Sequence, residues 1–164
     1  MTCRCHYASP VGALTLCSDG EALTGLYFDG QRYFMEGCPG PYEEAALPVF
    51  GEAARWLDAY FGGTTPDFTP PLAPRGTPFR VCVWKALLEI PYGQTVSYGE
   101  LARRVGNGVA ARAVGNAVAH NPVSIIIPCH RVVGGNGTLT GYSAGLEIKS
   151  RLLALEQGKN GRLS

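Results

Sequence analysis

Hydrophobic and polar positions along the first seventy residues predict a small unit of mixed α and β structure. Residues 12–17 and 22–28 are short β-like runs, and Ser18-Asp19-Gly20 between them is a typical turn sequence, so we expect a β-hairpin. A core-facing helix follows and ends at Gly62-Gly63. Its apolar positions recur with the spacing of one helical face: Val49, Ala53, Trp56, Leu57 and Tyr60.

A proline-rich stretch separates this unit from the rest of the chain. Residues 64–78 contain five of the twelve prolines and little periodic apolar signal, which predicts an ordered crossing between two lobes. We therefore divide the chain into an N-terminal lobe, residues 1–70, and a C-terminal lobe, residues 71–164.

The C-terminal lobe begins with a pattern typical of a helix start. Thr77 is suited to cap the helix and Pro78 to occupy its first position. The predicted buried stripe runs to Pro91-Tyr92-Gly93, and its members share helical spacing: Phe79, Cys82, Val83, Ala86, Leu87 and Ile90. This pattern places Cys82 in the core as a thiol.

Two further helical patterns, residues 97–105 and 110–120, flank Gly106-Asn107-Gly108. Two helices around a short glycine-bearing turn are similar to a helix-turn-helix, although any αα-hairpin has the same pattern. The second helix consists largely of Ala and Gly. Its bare surface allows either close packing on another helix or insertion into a nucleic-acid groove with Arg112 projecting from it.

The overall composition indicates a globular protein, with 164 residues of which 46% are hydrophobic and 16% charged. The apolar runs are too short for a membrane span, and we expect a soluble monomer. Met1 is not followed by a secretory signal, so we expect a cytoplasmic protein, associated with the nucleoid if bacterial, whose six cysteines are thiols.

Charge is distributed unevenly along the chain. Residues 1–100 carry six Lys and Arg against eleven Asp and Glu, a net of −5, whereas residues 101–164 carry eight against two, a net of +6. The overall charge of +1 therefore conceals a basic C-terminal segment that is suited to an anionic partner, although basic surfaces are often merely solvated.

The segment from Asn121 to Val133 contains the strongest chemical signal. Cys129 follows an apolar run that we expect to be extended, and prolines bracket that run, so the cysteine is presented at a rigid bend. A buried thiol needs a base to become a nucleophile, and the adjacent His130 is the candidate, directly or through a water. The alternative is a core cysteine beside a surface histidine.

Glu156 lies in the last predicted helix, residues 145–157, among the inward-facing positions Ile148, Leu152, Leu153 and Leu155. A carboxylate in that sector needs a partner, and a hydrogen bond to a histidine would orient the base as in an acid-base-nucleophile triad. The alternative is a glutamate that bends out to solvent.

These residues carry a family resemblance. Ile127-Pro128-Cys129-His130-Arg131-Val132 resembles the Pro-Cys-His-Arg motif of the O6-alkylguanine-DNA alkyltransferases, the methylated-DNA–protein-cysteine methyltransferases. The similarity is strong from Thr77 to Gly158 and looser in the N-terminal lobe. Other segments that resemble the family follow in order: 90–102, 110–115, Asn121-Pro122, and 141–143 through Leu152-Leu153 to Glu156.

The resemblance implies an α+β fold with a small N-terminal lobe and a mainly helical C-terminal lobe that holds a helix-turn-helix over 97–120 and an active-site segment over 121–145. It also implies a single-turnover transfer of an alkyl group from O6 of guanine, and O4 of thymine, in flipped bases of duplex DNA. Cys129 accepts the group, His130 acts as base through a water, and Glu156 orients it. Tyr98 gives a proton to the guanine and contacts the rotated phosphate.

The resemblance further implies how DNA is held. Arg112 fills the stack that the flipped base leaves, with the helix docked in the minor groove. Asn121 connects the helix-turn-helix to the active-site segment, and the Val132 carbonyl accepts from the guanine amino group. The remaining expected substrate contacts are Tyr142, Ser143, Gly115 and Arg131.

The residues present disfavour two other functions and a metal site. A lesion sensor without chemistry is disfavoured by the intact acceptor cysteine, and a cysteine hydrolase by the lack of any marker for an oxyanion hole. Some members of the family bind zinc in the N-terminal lobe. The nearest candidates do not have a recognisable ligand spacing, and we expect no metal or other cofactor: Cys3, Cys5, His6 and Cys17.

Overall fold

The computed structural model describes residues 1–158, so the last six residues assigned to the C-terminal lobe, 159–164, lie outside the described residues. The helices and strands follow the chain in this order: β1 (Thr2–Ser9), β2 (Gly12–Ser18), β3 (Leu23–Phe28), β4 (Tyr42–Glu44), α1 (Pro48–Phe61), α2 (Pro78–Leu87), β5 (Val96–Ser97), α3 (Tyr98–Val105), α4 (Ala111–Ala119), β6 (Val132–Val133) and α5 (Leu146–Glu156). The fold is α+β, as predicted.

The N-terminal strands form a four-stranded sheet in the order β3-β2-β1-β4. The predicted hairpin is present as the antiparallel pair β2 and β3, while β1 adds antiparallel to β2 and β4 parallel to β1. Strands β1 and β4 were not predicted from the sequence. Most of β1 is only half-buried and β4 is a fully exposed strand of three residues, so neither has a clear apolar pattern.

Helix α1 confirms the predicted stripe, because its buried residues include all five predicted positions. Pro48 occupies the first turn and the helix ends at Gly62. The main hydrophobic core is continuous between the two lobes, since β2, β3, α1 and the helices of the C-terminal lobe all contribute to it. A smaller, separate cluster in the N-terminal lobe consists of Cys17, Tyr27, Met35 and Cys38.

The edge of β3 connects the two parts of the chain. Leu23 bonds the proline-rich crossing, accepting from Ala73 N at 2.9 Å. Three residues further on, Leu26 bonds the segment before the cysteine, since its N–H donates to Pro122 O and its carbonyl accepts from Ser124 N, both at 2.8 Å. An N-terminal strand therefore fixes the position of the segment that leads to Cys129.

Helix α2 begins as predicted, with the Thr77 hydroxyl accepting from Arg80 N. Its buried face is different: Cys82 is exposed, so its assignment to the core is wrong. The face centres on Trp84, whose indole N–H donates to the Ala117 carbonyl of α4 at 2.9 Å. The buried face of α2 is therefore turned towards Trp84 relative to the predicted stripe. Its buried residues are Val83, Trp84 and Leu87, and Phe79 is 37% exposed.

Helices α3 and α4 form the predicted pair around Gly106-Asn107-Gly108. Ser97 caps α3 by accepting from Glu100 N at 3.0 Å. Gly108 takes a left-handed conformation, φ +76°, which glycine adopts readily, whereas Gly106 is extended. No helix within residues 1–158 combines the length and the apolar character that crossing a membrane requires.

Candidate active site

Cys129 lies at the start of a single 3₁₀ turn, Cys129–Arg131, and is 3% exposed. The run before it is not extended as predicted. Residues 124–126 form a turn in which Ile125 is left-handed, φ +71°, and the Ile127 N–H reaches back to Val123 O at 3.1 Å. Local apolar sequence suggests a strand, but the surrounding hydrogen bonds favour a turn here.

Asn121 holds this turn together. Its side-chain amide donates to Ile127 O at 2.8 Å and to Val123 O at 3.3 Å, and its carbonyl oxygen accepts from Val123 N at 3.0 Å. Its backbone N–H donates to Val118 O at the end of α4. Asn121 thus links the helix-turn-helix to the segment that presents Cys129.

Glu156 is buried and pairs with His130, so it does not bend out to solvent. Its Oε2 lies 2.5 Å from His130 Nε2 and accepts from Tyr60 Oη at 2.6 Å, while Oε1 accepts from Arg131 Nε at 2.7 Å and Gly93 N at 3.1 Å. Burial opposes ionisation, but the hydrogen bonds from His130 and Arg131 and the positive charge of Arg131 lower the pKa of Glu156 to about 2. The carboxylate is therefore ionised at neutral pH.

His130 is fully buried and neutral, because burial lowers its pKa more than Glu156 raises it. An ionised carboxylate can only accept hydrogen bonds, so the ring proton lies on Nε2. The other nitrogen, Nδ1, has no hydrogen-bond partner within residues 1–158. His130 thus has one nitrogen held by Glu156 and one able to accept a proton.

Burial raises the pKa of the Cys129 thiol, although Asn121, Lys149 and Tyr142 act in the opposite direction. The resting side chain is therefore a thiol, and a base is needed to form the nucleophilic thiolate.

Arg131, predicted to contact substrate, is 8% exposed, and its guanidinium is directed into the protein towards Glu156. Its guanidinium bonds Glu156 through Nε and, at 3.2 Å, through Nη2, and its Nη1 donates to the Ile90 carbonyl at 2.7 Å. A buried carboxylate requires such a counter-ion. Arg112, by contrast, is exposed on α4 and has no ion-pair partner in the described part of the chain.

Tyr60 belongs to α1 of the N-terminal lobe, and sequence reasoning assigned it only to the apolar stripe. Besides donating to Glu156, its hydroxyl lies 3.4 Å from His130 Nε2. The sequence could have indicated a polar contact for Tyr60, because a tyrosine on a fully buried face needs a partner for its hydroxyl.

Lys149 is a second residue that sequence reasoning missed. It is fully buried, and its Nζ donates to Val132 O and Thr140 O, each at 2.6 Å, and to Gly141 O at 3.2 Å. Burial lowers its pKa from 10.5 to about 8. The sequence did contain a signal for this residue, because Lys149 precedes Glu156 by seven residues and therefore lies on the same face of α5.

A cavity of about 220 Å³ is lined by four of the residues expected to contact substrate: Tyr98, Gly115, Tyr142 and Ser143. Tyr142 links the cavity to the acceptor, since burial first and then Cys129 raise its pKa far above the usual value. Burial also raises the pKa of Tyr98, which keeps its phenol proton. The cavity has a wall from the N-terminal lobe, Arg32 and Tyr33, that the sequence did not indicate.

Metal and disulfide chemistry have little support in the geometry. Within residues 1–158 no three His, Cys, Asp or Glu side chains are grouped so that they could hold a metal ion. All six cysteines are free thiols.

The fold and this site combine a pair of helices around a glycine-bearing turn with a buried cysteine, whose neighbour His130 is held by an ionised carboxylate. Two family models match the chain, the ribonuclease-like domain of 6-O-methylguanine DNA methyltransferase over residues 4–74 and its DNA binding domain over residues 78–158. The chain belongs to the family of methylated-DNA–protein-cysteine methyltransferases.

Individual relatives agree with this assignment. The methylated-DNA–protein-cysteine methyltransferase of Methanosarcina mazei is 56% identical over 151 residues, which cover 91% of this chain and 93% of the relative. That of Methanosarcina acetivorans is 49% identical over 92% of this chain and 95% of its own length. The crystal structure of Mycobacterium tuberculosis OGT in complex with DNA has a TM-score of 0.85 and 44% identity, and covers 98% of this chain and 94% of that one.

Proposed function

We propose that this protein repairs alkylated DNA by direct reversal, transferring the alkyl group from O6-alkylguanine, and from O4-alkylthymine, to its own Cys129. The observation that carries the proposal is the arrangement of His130 next to Cys129, with Nε2 fixed by the ionised Glu156 and Nδ1 unpaired in residues 1–158. Family membership supplies the reaction type. A thioether is not hydrolysed, so each molecule acts once.

In the proposed reaction the Cys129 thiol gives its proton, through a water, to His130 Nδ1. The thiolate sulfur then attacks the alkyl carbon, so that the S–C bond forms as the C–O6 bond breaks and the electron pair remains on the guanine. Tyr98, whose raised pKa keeps the phenol protonated at neutral pH, donates a proton to the leaving guanine. Nucleophile and final acceptor are the same sulfur, and the reaction needs no cofactor or metal.

The flipped base enters the cavity formed by Tyr98, Gly115, Tyr142 and Ser143. The Val132 carbonyl accepts from the guanine amino group. Its hydrogen bond from Lys149 leaves it a second lone pair for this contact.

Binding of duplex DNA is assigned to α3 and α4, docked in the minor groove, with the exposed Arg112 filling the vacated stack. The basic charge available to DNA is smaller than the +6 of the C-terminal segment suggests, because Arg131 and Lys149 are buried. Specificity then comes from base flipping more than from overall attraction. We place the protein, as a monomer, in the compartment that holds the DNA, which is the cytoplasm if the cell is bacterial.

We propose that the two lobes divide this work at about residue 70. The C-terminal lobe, 71–164, carries acceptor, base and DNA-binding helices. The N-terminal lobe, 1–70, supports them through Tyr60 and the edge of β3.

The test is to incubate the protein with duplex DNA containing O6-methylguanine and to measure the mass of each cysteine peptide. We expect one added methylene on the Cys129 peptide and loss of activity after one equivalent. Cys129→Ser abolishes the reaction, while Cys82→Ser, which removes an exposed thiol, leaves it intact. An unmodified Cys129 together with tight lesion binding would instead indicate a sensor.

A further inference from the structure

The N-terminal lobe reaches the nucleotide cavity through the segment 31–36, between β3 and β4, which we call the 31–36 turn. Arg32 and Tyr33 line one wall of the cavity, and Gly115, Tyr142 and Ser143 belong to the walls from the C-terminal lobe. The proposed function assigns no role to this turn.

Hydrogen bonds hold the 31–36 turn against the opposite wall. The Arg32 N–H donates to Ser143 O at 2.9 Å, and Gln31 Nε2 lies within 3.3 Å of Ser143 Oγ. Gln31 is itself fixed, since its Oε1 accepts from Phe28 N at 2.7 Å. The backbone of Arg32 therefore moves only if Ser143 moves with it.

Aromatic and ionic contacts fix the same turn to the end of α4. Tyr33 is left-handed, φ +63°, an unfavourable conformation for an aromatic residue that surrounding contacts must maintain. Its ring stacks on His120 with the centroids 3.9 Å apart. His120 Nδ1 lies 2.8 Å from a Glu36 carboxylate oxygen, and Glu36 lies 3.6 Å from Arg80. The turn is thus clamped to the helix that carries Arg112.

The Arg32 side chain is exposed and carries an uncompensated charge at this fixed point. Arg32 has no ion pair with a carboxylate of residues 1–158. The carboxylates nearest to it in sequence have other partners, since Asp29 accepts from Thr15 at 2.7 Å and Glu36 pairs with His120. The recorded contact of Arg32 is with the face of Tyr33, where the guanidinium carbon lies 5.1 Å from the ring centroid. An exposed guanidinium at the rim of a nucleotide cavity is suited to bind a backbone phosphate.

We propose that Arg32 binds the phosphate beside the extrahelical nucleotide, so that the N-terminal lobe takes part in DNA binding at the mouth of the cavity. The inference rests on the proposed function, which places that nucleotide in the cavity. Arg32 is a binding residue in this scheme, and it acts from the side of the cavity opposite the C-terminal lobe.

The experiment compares Arg32→Gln with Arg55→Gln, which removes the same charge from an exposed position on α1 of the same lobe. Binding to duplex DNA containing O6-methylguanine is measured by fluorescence anisotropy over a range of salt concentrations. We expect Arg32→Gln to weaken binding about tenfold, equivalent to about 1.4 kcal/mol. We also expect a salt dependence shallower by about one phosphate contact. Arg55→Gln behaves as the wild type. We expect Arg32→Gln to lose much less of its reaction with free O6-benzylguanine, which has no phosphate, than of its binding to duplex DNA.

A single neutral methylphosphonate next to the lesion tests the contact directly. We expect this duplex to bind the wild type more weakly and Arg32→Gln with no further loss. Equal binding by Arg32→Gln and Arg55→Gln, or an equal loss of reaction with free O6-benzylguanine, would overturn the inference. Failure of the proposed function would appear separately, as an unmodified Cys129 in the wild type.

Discussion

Lys149 provides the sharpest test of how the cavity is held together. Its buried ammonium joins two segments, the strand after the acceptor through Val132 and the cavity loop through Thr140 and Gly141. Lys149→Met keeps the length and apolar bulk of the side chain and removes the donors. We expect the loop to loosen and alkyl transfer to fall sharply.

The effect on stability follows from two opposing contributions. Only one of the three carbonyls, that of Val132, belongs to a buried residue, and leaving it without a donor costs about 1–3 kcal/mol. Thr140 and Gly141 are exposed, so water can replace the ammonium at their carbonyls. Removing the ammonium recovers about 3 kcal/mol, because burial lowers the pKa of Lys149 from 10.5 to about 8 and each unit corresponds to about 1.36 kcal/mol. We therefore expect the stability of Lys149→Met at neutral pH to lie within about 2 kcal/mol of the wild type.

The lowered pKa of Lys149 also predicts how the stability difference between the wild type and Lys149→Met depends on pH. Between pH 8 and 10.5 the unfolded chain binds a proton at Lys149 that the folded protein does not, so the stability of the wild type rises with pH relative to the variant. The difference between the two grows by about 3 kcal/mol over this window.

Urea unfolding of both proteins at pH 7 and pH 10.5 measures the difference, and other titrating groups cancel in the comparison. Reaction with free O6-benzylguanine reports the state of the cavity without DNA. A stability difference independent of pH would refute the burial argument for Lys149. Transfer within twofold of the wild type would refute its role in holding the loop.

Three other predictions concern the catalytic pair and the cavity. Tyr60→Phe removes a donor that shares Glu156 Oε2 with His130, so the carboxylate stabilises the imidazolium more and the pKa of His130 rises. A nitrogen-15 NMR titration measures this, and an unchanged pKa would contradict it. Glu156 has its pKa lowered from 4.5 to about 2, so the roughly 3 kcal/mol that its ionised form contributes is present above pH 4.5 and is lost as the pH falls towards 2. Unfolding across this range should show the stability difference from Glu156→Gln shrinking, and a constant difference would disprove it. Gly115→Ala places a methyl group 3.6 Å from the Tyr98 ring, which is an ordinary contact that the fold tolerates. Because both residues line the cavity, the added methyl group makes the cavity narrower. The ratio of benzyl to methyl transfer from duplex DNA should therefore drop about tenfold, and an unaltered ratio would place Gly115 outside the alkyl site.

Tyr27→Phe is the matched control for Tyr60→Phe. Tyr27 is also buried, and its hydroxyl accepts from Gly37 N at 3.0 Å in a separate cluster. Both variants lose one buried hydroxyl and a similar amount of stability, and Tyr60→Phe alone is expected to change the titration of His130.

Much of the architecture could be predicted from local sequence. The apolar spacing of α1, the cap at Thr77 and the glycine-bearing turn between α3 and α4 act over a few residues, and the structure confirms all three. Glu156 could also be identified in this way, because a carboxylate within an apolar helical arc must find a partner.

Tertiary structure decided the orientation of side chains where local patterns were ambiguous. The buried face of α2 was predicted only in part: Val83 and Leu87 are buried as expected, but Cys82 and Phe79 are exposed. The predicted stripe omitted Trp84, whose hydrogen bond to Ala117 spans 33 residues. Arg131 was predicted to contact substrate, because nothing in the adjacent sequence shows that Glu156 lies beside it in the fold. The turn before Cys129 likewise depends on Asn121, whose side chain bonds backbone six residues away.

Local sequence was enough to single out the proposed acceptor, its proposed base and the carboxylate, since Cys129 and His130 are adjacent and Glu156 stands out within its helix. Only the tertiary structure placed the N-terminal lobe at the site. Tyr60 meets Glu156 across 96 residues, and Gln31 meets Ser143 across 112. Contacts at such separations depend on how the lobes pack, which the local periodicity of either lobe does not encode.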